Sequence, residues 1–263
     1  MTRLLSVCAL IFAGLLPMSV VAQSPNWDGY YLGANVGGRF AVNDWTTYLA
    51  CPNSGLCGGG RPGPDNTQRF DSTAPRAGAF GGHNWMLSPT WLAGLEAEIG
   101  WANNRNSNGP IPGTTVSGGI PSITNGDTAS VNLSWDANLK ARVGALLRPD
   151  MLLFATAGLA LQQVEMVATC NNDGSNNTYC TQPAGAQHYD AQTRILLGWT
   201  IGMGLEYLLA PNWLARVEYR YADFGQANPT FFTNNLGANG DDRVFAHVRV
   251  RTHTAGLGIA YKF

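Results

Sequence analysis

Residues 192–209 read QTRILLGWTIGMGLEYLL. Every second position from Ile195 is large and apolar: Ile195, Leu197, Trp199, Ile201, Met203, Leu205 and Tyr207. The intervening set is Arg194, Leu196, Gly198, Thr200, Gly202, Gly204 and Glu206: three glycines, a threonine, a leucine and a charge near each end. A period of two is the signature of a strand with two different faces. The same alternation marks 30–37, 76–86, 91–101, 134–147, 151–162, 213–221 and 253–263, so the pattern predicts eight strands. Three connections are tight and contain proline: Ser88-Pro89-Thr90, Arg148-Pro149-Asp150 and Ala210-Pro211-Asn212. The others, 40–74, 102–131, 165–192 and 225–250, are long and rich in glycine and asparagine, and are expected to be loops. Short and long connections in turn describe an up-and-down meander with one smooth end and one shaggy end.

Alternation alone does not say which face is inside, because a secreted ligand-carrying barrel alternates too. Three features decide it. The polar face carries glycines 78, 82, 94, 100, 144, 158, 198, 202, 204, 256 and 258, which would weaken a water-facing strand but make room inside a narrow barrel. The same face holds Glu96, Glu98, Glu206 and Glu218 against Lys140, Arg142, Arg216 and Arg220, the balanced set a confined interior requires. Trp101, Trp135, Trp213, Tyr207, Tyr219 and Tyr261 fall near strand ends on the apolar face, where amphipathic rings suit a headgroup boundary. The expected fold is therefore all-β: an eight-stranded antiparallel up-and-down transmembrane β-barrel with short periplasmic turns and long extracellular loops. Barrel closure satisfies the backbone where lipid offers no hydrogen bonds.

Composition narrows the setting. Charged residues are 13% of the 263, about half the roughly 25% of a soluble domain, and the net charge of -1 gives no basic field for nucleic acid. Residues 1–22, MTRLLSVCALIFAGLLPMSVVA, have a positive start, an apolar stretch and a small-residue end, and are expected to be a signal peptide preceding a barrel domain at 23–263. The stretch is short and broken by Pro17, which argues against a membrane anchor. Cys51, Cys57, Cys170 and Cys180 then remain. In an exported chain an even count suggests disulfides, with local pairs Cys51–Cys57 and Cys170–Cys180 expected. Their spacing, without clustered histidine, fits zinc poorly, and no cofactor is expected.

LGWTIGMGLEYLLAPNWLARVEYRYADFG (197–225) resembles the sixth and seventh strands of the α-proteobacterial outer-membrane β-barrel family, often labelled porin-family or opacity-like. WDGYYLGANVGG (27–38) resembles its first strand and HTAGLGIAYKF (253–263) its last. The resemblance spans the mature chain outside the long loops. It implies an outer-membrane location in a Gram-negative cell, contact with outer-membrane lipid, and recognition of the terminal aromatics Tyr261 and Phe263 by the barrel-assembly machinery. The chain departs from the family in strand four, where Asn138-Leu139-Lys140-Ala141-Arg142 replaces a Thr-x-Arg-x-Arg-like run; lysine keeps the charge but loses the bidentate fork.

Three functions follow. A structural or weakly pore-forming barrel fits best, since side chains roughly fill eight strands; the charge cluster is then an interior fastening or a gate. A surface binding protein, an adhesin or hemin binder meeting host or environmental ligands at its loops, is the alternative, with His188 and His247 as hemin-ligand candidates. An enzyme is not expected. His83 lies near Ser88 without an evident acid, and no hydrolase, zinc-protease or phosphate-loop motif appears. The sequon Asn176-Asn177-Thr178 carries no weight in a bacterial export context.

Overall fold

The computed structural model describes residues 27–51, 66–106, 109–113, 128–171, 187–233, 236–237, 240–241 and 243–263. The expected signal segment, Cys57, Cys180 and the sequon lie outside them. Eight long strands carry the fold: β1 (Gly29–Cys51), β2 (Thr67–Met86), β3 (Trp91–Asn104), β4 (Thr128–Arg148), β5 (Met151–Asn171), β6 (Gln187–Ala210), β7 (Trp213–Ala227) and β8 (Arg243–Lys262). Each pairs antiparallel with the next, and β1 pairs with β8 from Tyr31↔Lys262 to Cys51↔Arg243, so the sheet closes on itself. The tight turns are where the prolines place them. At the first, the backbone N–H groups of Thr90 and Trp91 donate to Ser88 Oγ.

Over the lower part of the barrel the apolar face points outward. Leu32, Val36, Ile99, Leu159, Ile201 and Leu257 are all exposed there. Aromatic rings bound this belt. Tyr30, Trp85, Trp91, Trp213 and Phe263 lie at the turn end, with Phe40, Trp101 and Trp199 at the other. The stretch from Tyr30 to Phe40, at a tilt of ~40°, climbs about 25 Å, the height of an outer-membrane apolar band.

The strands do not stop at the belt. They run 14 to 24 residues against the expected 9–11 of a tilted span. Much of what alternation assigned to loops is wall: β1 continues to Cys51, β2 begins at Thr67, β5 reaches Asn171 and β8 begins at Arg243. The physical reason is a reversal of which face is apolar. Above the belt Val244, Ala246, Val248 and Val250 point inward while Arg243, His247, Arg249 and Arg251 point outward. Val164, Met166 and Ala168 on β5 turn inward in the same way, with Glu165 outside. The membrane half is greasy outside; the projecting half is built like a water-soluble barrel.

Candidate functional site

Three layers fill the lumen. At the turn end sits an apolar plug of Trp27, Tyr31, Phe80, Leu92, Leu152, Phe154, Leu214 and Ala260. Trp27 is fully buried below the strands and donates from Nε1 to the Pro149 carbonyl (3.0 Å). Lys262 reaches the Asp28 carbonyl (2.8 Å), tying the last strand to the first.

Above the plug lies an ionic layer. The inward face of β3 and β4 supplies Glu96, Glu98, Lys140 and Arg142; β6 and β7 supply Glu206, Arg216, Glu218 and Arg220. All eight predicted cluster residues meet there. Lys140 Nζ sits among three carboxylates: Glu96 at 2.9 Å, Glu98 at 2.9 Å and Glu218 at 3.0 Å. Those carboxylates have metal-ligand spacing, and the lysine ammonium occupies their centre. Arg142 and Arg216 converge on Glu206 at 2.9 and 2.5 Å. The same two guanidiniums lie over Phe154 (4.5 Å) and Phe80 (4.0 Å), so the plug's rings form the floor of the ionic layer.

Alternation did not reveal the whole of this layer. Asp136 receives Arg76 through two bonds (2.9 and 2.7 Å), Arg39 at 3.0 Å and Arg220 at 3.2 Å. Arg220 also pairs with Glu98. Arg39 is saturated, donating further to Asn104 Oδ1 (2.7 Å), Gln162 Oε1 (3.2 Å) and the carbonyls of Ala102 (2.8 Å) and Ser134 (2.7 Å). Tyr31 joins by donating to Glu96 (2.8 Å). Asp136 was visible on the inward face of its segment, and Arg39 falls two residues past the end of the first predicted segment, in the same phase as Gly37. The described layer thus holds five carboxylates and six cations in direct contact. The cavity beside Arg76, Glu98, Arg216 and Arg220 is about 20 Å³, room for roughly one water.

The glycines explain how long side chains fit. A Cβ on Gly100 would stand 2.0 Å from Arg76 Nη2, and one on Gly158 would stand 2.0 Å from the Leu139 carbonyl.

The third layer is the inverted upper core, built on Trp45, Phe70, Val164, Met166, Phe224, Phe231 and Val248. Cys170 is buried beside it and disulfide-bonded. Cys180, Cys57 and the side chain of Cys51 lie outside the described residues. His188 and His247 stand in β6 and β8, not in loops. His247 shares a 2.8 Å hydrogen bond between Nδ1 and Asn228 Oδ1 and stacks on Tyr48. His83 faces outward between Tyr30 and Trp85, away from Ser88 Oγ, which serves the turn. Tyr261 and Phe263 pack edge to face (5.3 Å) on the outer surface.

A closed β-cylinder with an apolar belt and a filled polar lumen defines an integral outer-membrane barrel protein. The family model "Outer membrane protein beta-barrel domain" matches residues 8–263, and the chain belongs to that family. Its curated relatives include the 31 kDa outer-membrane immunogenic protein of Brucella melitensis, 26% identical over 99% of this chain and 98% of the relative. The 22 kDa outer membrane protein of Rhizobium leguminosarum is 24% identical over 92% and 81%. Among solved structures the chain is similar to the outer membrane protein OprG from Pseudomonas aeruginosa, with a TM-score of 0.52 and 11% identity over 90% and 97% of the two chains; that likeness concerns the fold. The location is the outer membrane of a Gram-negative cell.

Proposed function

We propose that this barrel is a closed structural element of the outer membrane, without a conducting lumen and without catalysis. The observation that supports it is the sequence of layers along the axis: apolar plug, cross-linked ions, apolar core, with a gap beside the ions of only about 20 Å³. An ion crossing this path must break several charge-assisted hydrogen bonds and then enter an apolar layer, each costly at low dielectric. The charge cluster is the fastening that holds the strands in register. Outer-membrane lipid covers the belt, and the aromatics Tyr261 and Phe263 serve as the assembly signal. Single-channel recording on refolded protein tests the reading. A quiet bilayer over a folded, heat-modifiable band is expected, and reproducible conductance steps from wild type would overturn it.

The projecting wall favours a second reading, a surface recognition role. It carries Arg69, Asp71, His247 and Arg249 outward above the belt, and relatives are named as immunogenic outer-membrane proteins. If it takes hemin, titration of wild type shifts the Soret band and His247→Ala removes part of the shift. No shift on wild type ends the hemin version.

A further inference from the structure

The ionic layer is out of balance. Its five carboxylates face six cations, so one positive charge is left over. A buried charge without a counter-charge is costly at low dielectric. Loss of a proton does not remove it. All the cations but one are arginines, which keep their charge in proteins. The exception, Lys140, stands 2.9–3.0 Å from three carboxylates, and its neutral form would leave those three facing one another. Nor does the surplus ask for a partner at Arg39, whose N–H groups are all taken by Asp136, two amide oxygens and two carbonyls.

A place for the counter-charge lies nearby. The cavity of about 20 Å³ sits between the layer and the wall of β1 and β8, where Gly37, Gly256 and Gly258 bring no side chain inward. Arg76, Arg216 and Arg220 line it against Glu98 and Glu218, three guanidiniums to two carboxylates. Both carboxylates are already engaged, Glu98 by Arg76, Lys140 and Arg220, and Glu218 by Lys140. Arg216 has donors to spare. It is 4% exposed, and its Nε and Nη2 bond Glu206. Its Nη1 makes no hydrogen bond among the described residues and stands 3.5 Å from Glu218 Oε2. Thr254 adds a hydroxyl to the lining, with Arg39 and Arg220 as its cross-strand neighbours.

We propose that this cavity is a binding site for a single halide ion, chloride in the cell, held by Arg216 Nη1 and the Thr254 hydroxyl and neutralising the layer. Size selects the ion. The space takes roughly one water, and a halide is a single atom little larger, whereas sulfate, phosphate and organic anions do not fit. Charge selects an anion over water, because the lining guanidiniums outnumber the carboxylates. Apolar layers lie above and below, so the ion is taken up as the barrel folds and does not pass along the axis. The inference goes beyond the structural role and fails separately from it: conductance reports passage, and halide dependence of folding reports occupancy.

The test uses the whole mature protein, refolded into phospholipid vesicles with chloride replacing gluconate at constant ionic strength. Urea unfolding is followed by tryptophan fluorescence. One ion bound only by the folded state raises the folding constant about tenfold for each tenfold rise in chloride above half-occupancy, and that slope is the expected result for wild type. Thr254→Asp places a tethered carboxylate between Arg39 and Arg220. It is expected to abolish the chloride slope and to be at least as stable in gluconate as wild type. Crystals of wild type refolded in bromide are expected to show one anomalous peak in the cavity. A wild-type folding constant independent of chloride, a Thr254→Asp protein that keeps the full slope, or water alone in the cavity of the bromide crystal overturns the proposal. The crystal needs no variant, so it decides the matter even if Thr254→Asp folds poorly.

Discussion

Replacing Lys140 with methionine separates two accounts of the ionic layer. By pooled charge the change is harmless, since it leaves five carboxylates facing five cations. By local geometry it is severe. Lys140 Nζ lies 2.9–3.0 Å from three carboxylates, whose ligand oxygens are all within 4.8 Å of one another. At an effective dielectric of about 20, each contact near 3 Å is worth ~5 kcal/mol, and each carboxylate pair at the outer distance repels by roughly 3.5 kcal/mol. Arg76, Arg216 and Arg220 offset much of that repulsion, because each also touches at least one of the three carboxylates. The net loss expected for Lys140→Met is that of a broken buried pair, about 3–5 kcal/mol. Urea unfolding in lipid vesicles, followed by tryptophan fluorescence and the untreated-versus-boiled gel shift, measures it. The double variant Lys140→Met/Glu218→Gln removes the least buried of the three charges and is expected to recover at least about 1 kcal/mol through coupling. A loss below about 1 kcal/mol in the single variant, with no coupling in the double, would refute local pairing as what holds the layer.

Three further outcomes rest on the same geometry. Gly158→Ala, which would press a Cβ to 2.0 Å from a backbone carbonyl that cannot rotate away, is expected to abolish the heat-modifiable band or cost about 3 kcal/mol or more; near-wild-type stability contradicts the close approach. Arginine placed along β8 reports the reversal of faces. Leu257→Arg in the belt is expected to cost about 2–4 kcal/mol, Val248→Arg in the upper core to be severe, and His247→Arg beside it to stay within about 0.5 kcal/mol. Equal costs at 247 and 248 would mean the upper wall is not a two-faced barrel. Deleting Phe263, the proposed assembly signal, is expected to lower outer-membrane yield in cells while leaving refolding from urea nearly unchanged; equal yields dispose of that role.

The membrane half was legible because its pattern is extreme. The stretch of β6 from Ile195 to Tyr207, bulky at every odd position and glycine at three of its six even ones, suits lipid on one side and a crowded lumen on the other. The eight predicted charges meet where their phase put them. The upper edge of the ionic layer was harder to see. Arg39 and Arg76 sit where the outward greasy pattern fades at Gly38 and Pro75, so they resemble loop or strand-end residues instead of lumen cations. Their partner Asp136 is in phase with the inward face of β4, but without those two cations nothing distinguishes it from any other polar residue there.

The hidden upper wall has one physical cause. Period-two alternation fixes that a segment is a strand, but the solvent outside decides which phase is apolar, and here the solvent changes from lipid to water partway along each long strand. In β8 the sequence VFAHVRVRTHTAGLGIAY keeps its period of two throughout, yet the bulky set moves from even positions (Val244, Val248, Val250) to odd ones (Leu257, Ile259, Tyr261), with Thr252 to Thr254 as the crossover. A requirement for one continuous greasy face ends the strand at that crossover and leaves the rest as loop. The crossover is itself informative, because it falls beside His253 and Tyr221, at the level of the upper aromatic ring. Where a strand's alternation switches phase without losing its period, the switch marks the membrane surface. The residues beyond it belong to a water-facing wall with a dry core, which is why this chain could stack an apolar core outside the membrane on top of an ionic layer within it.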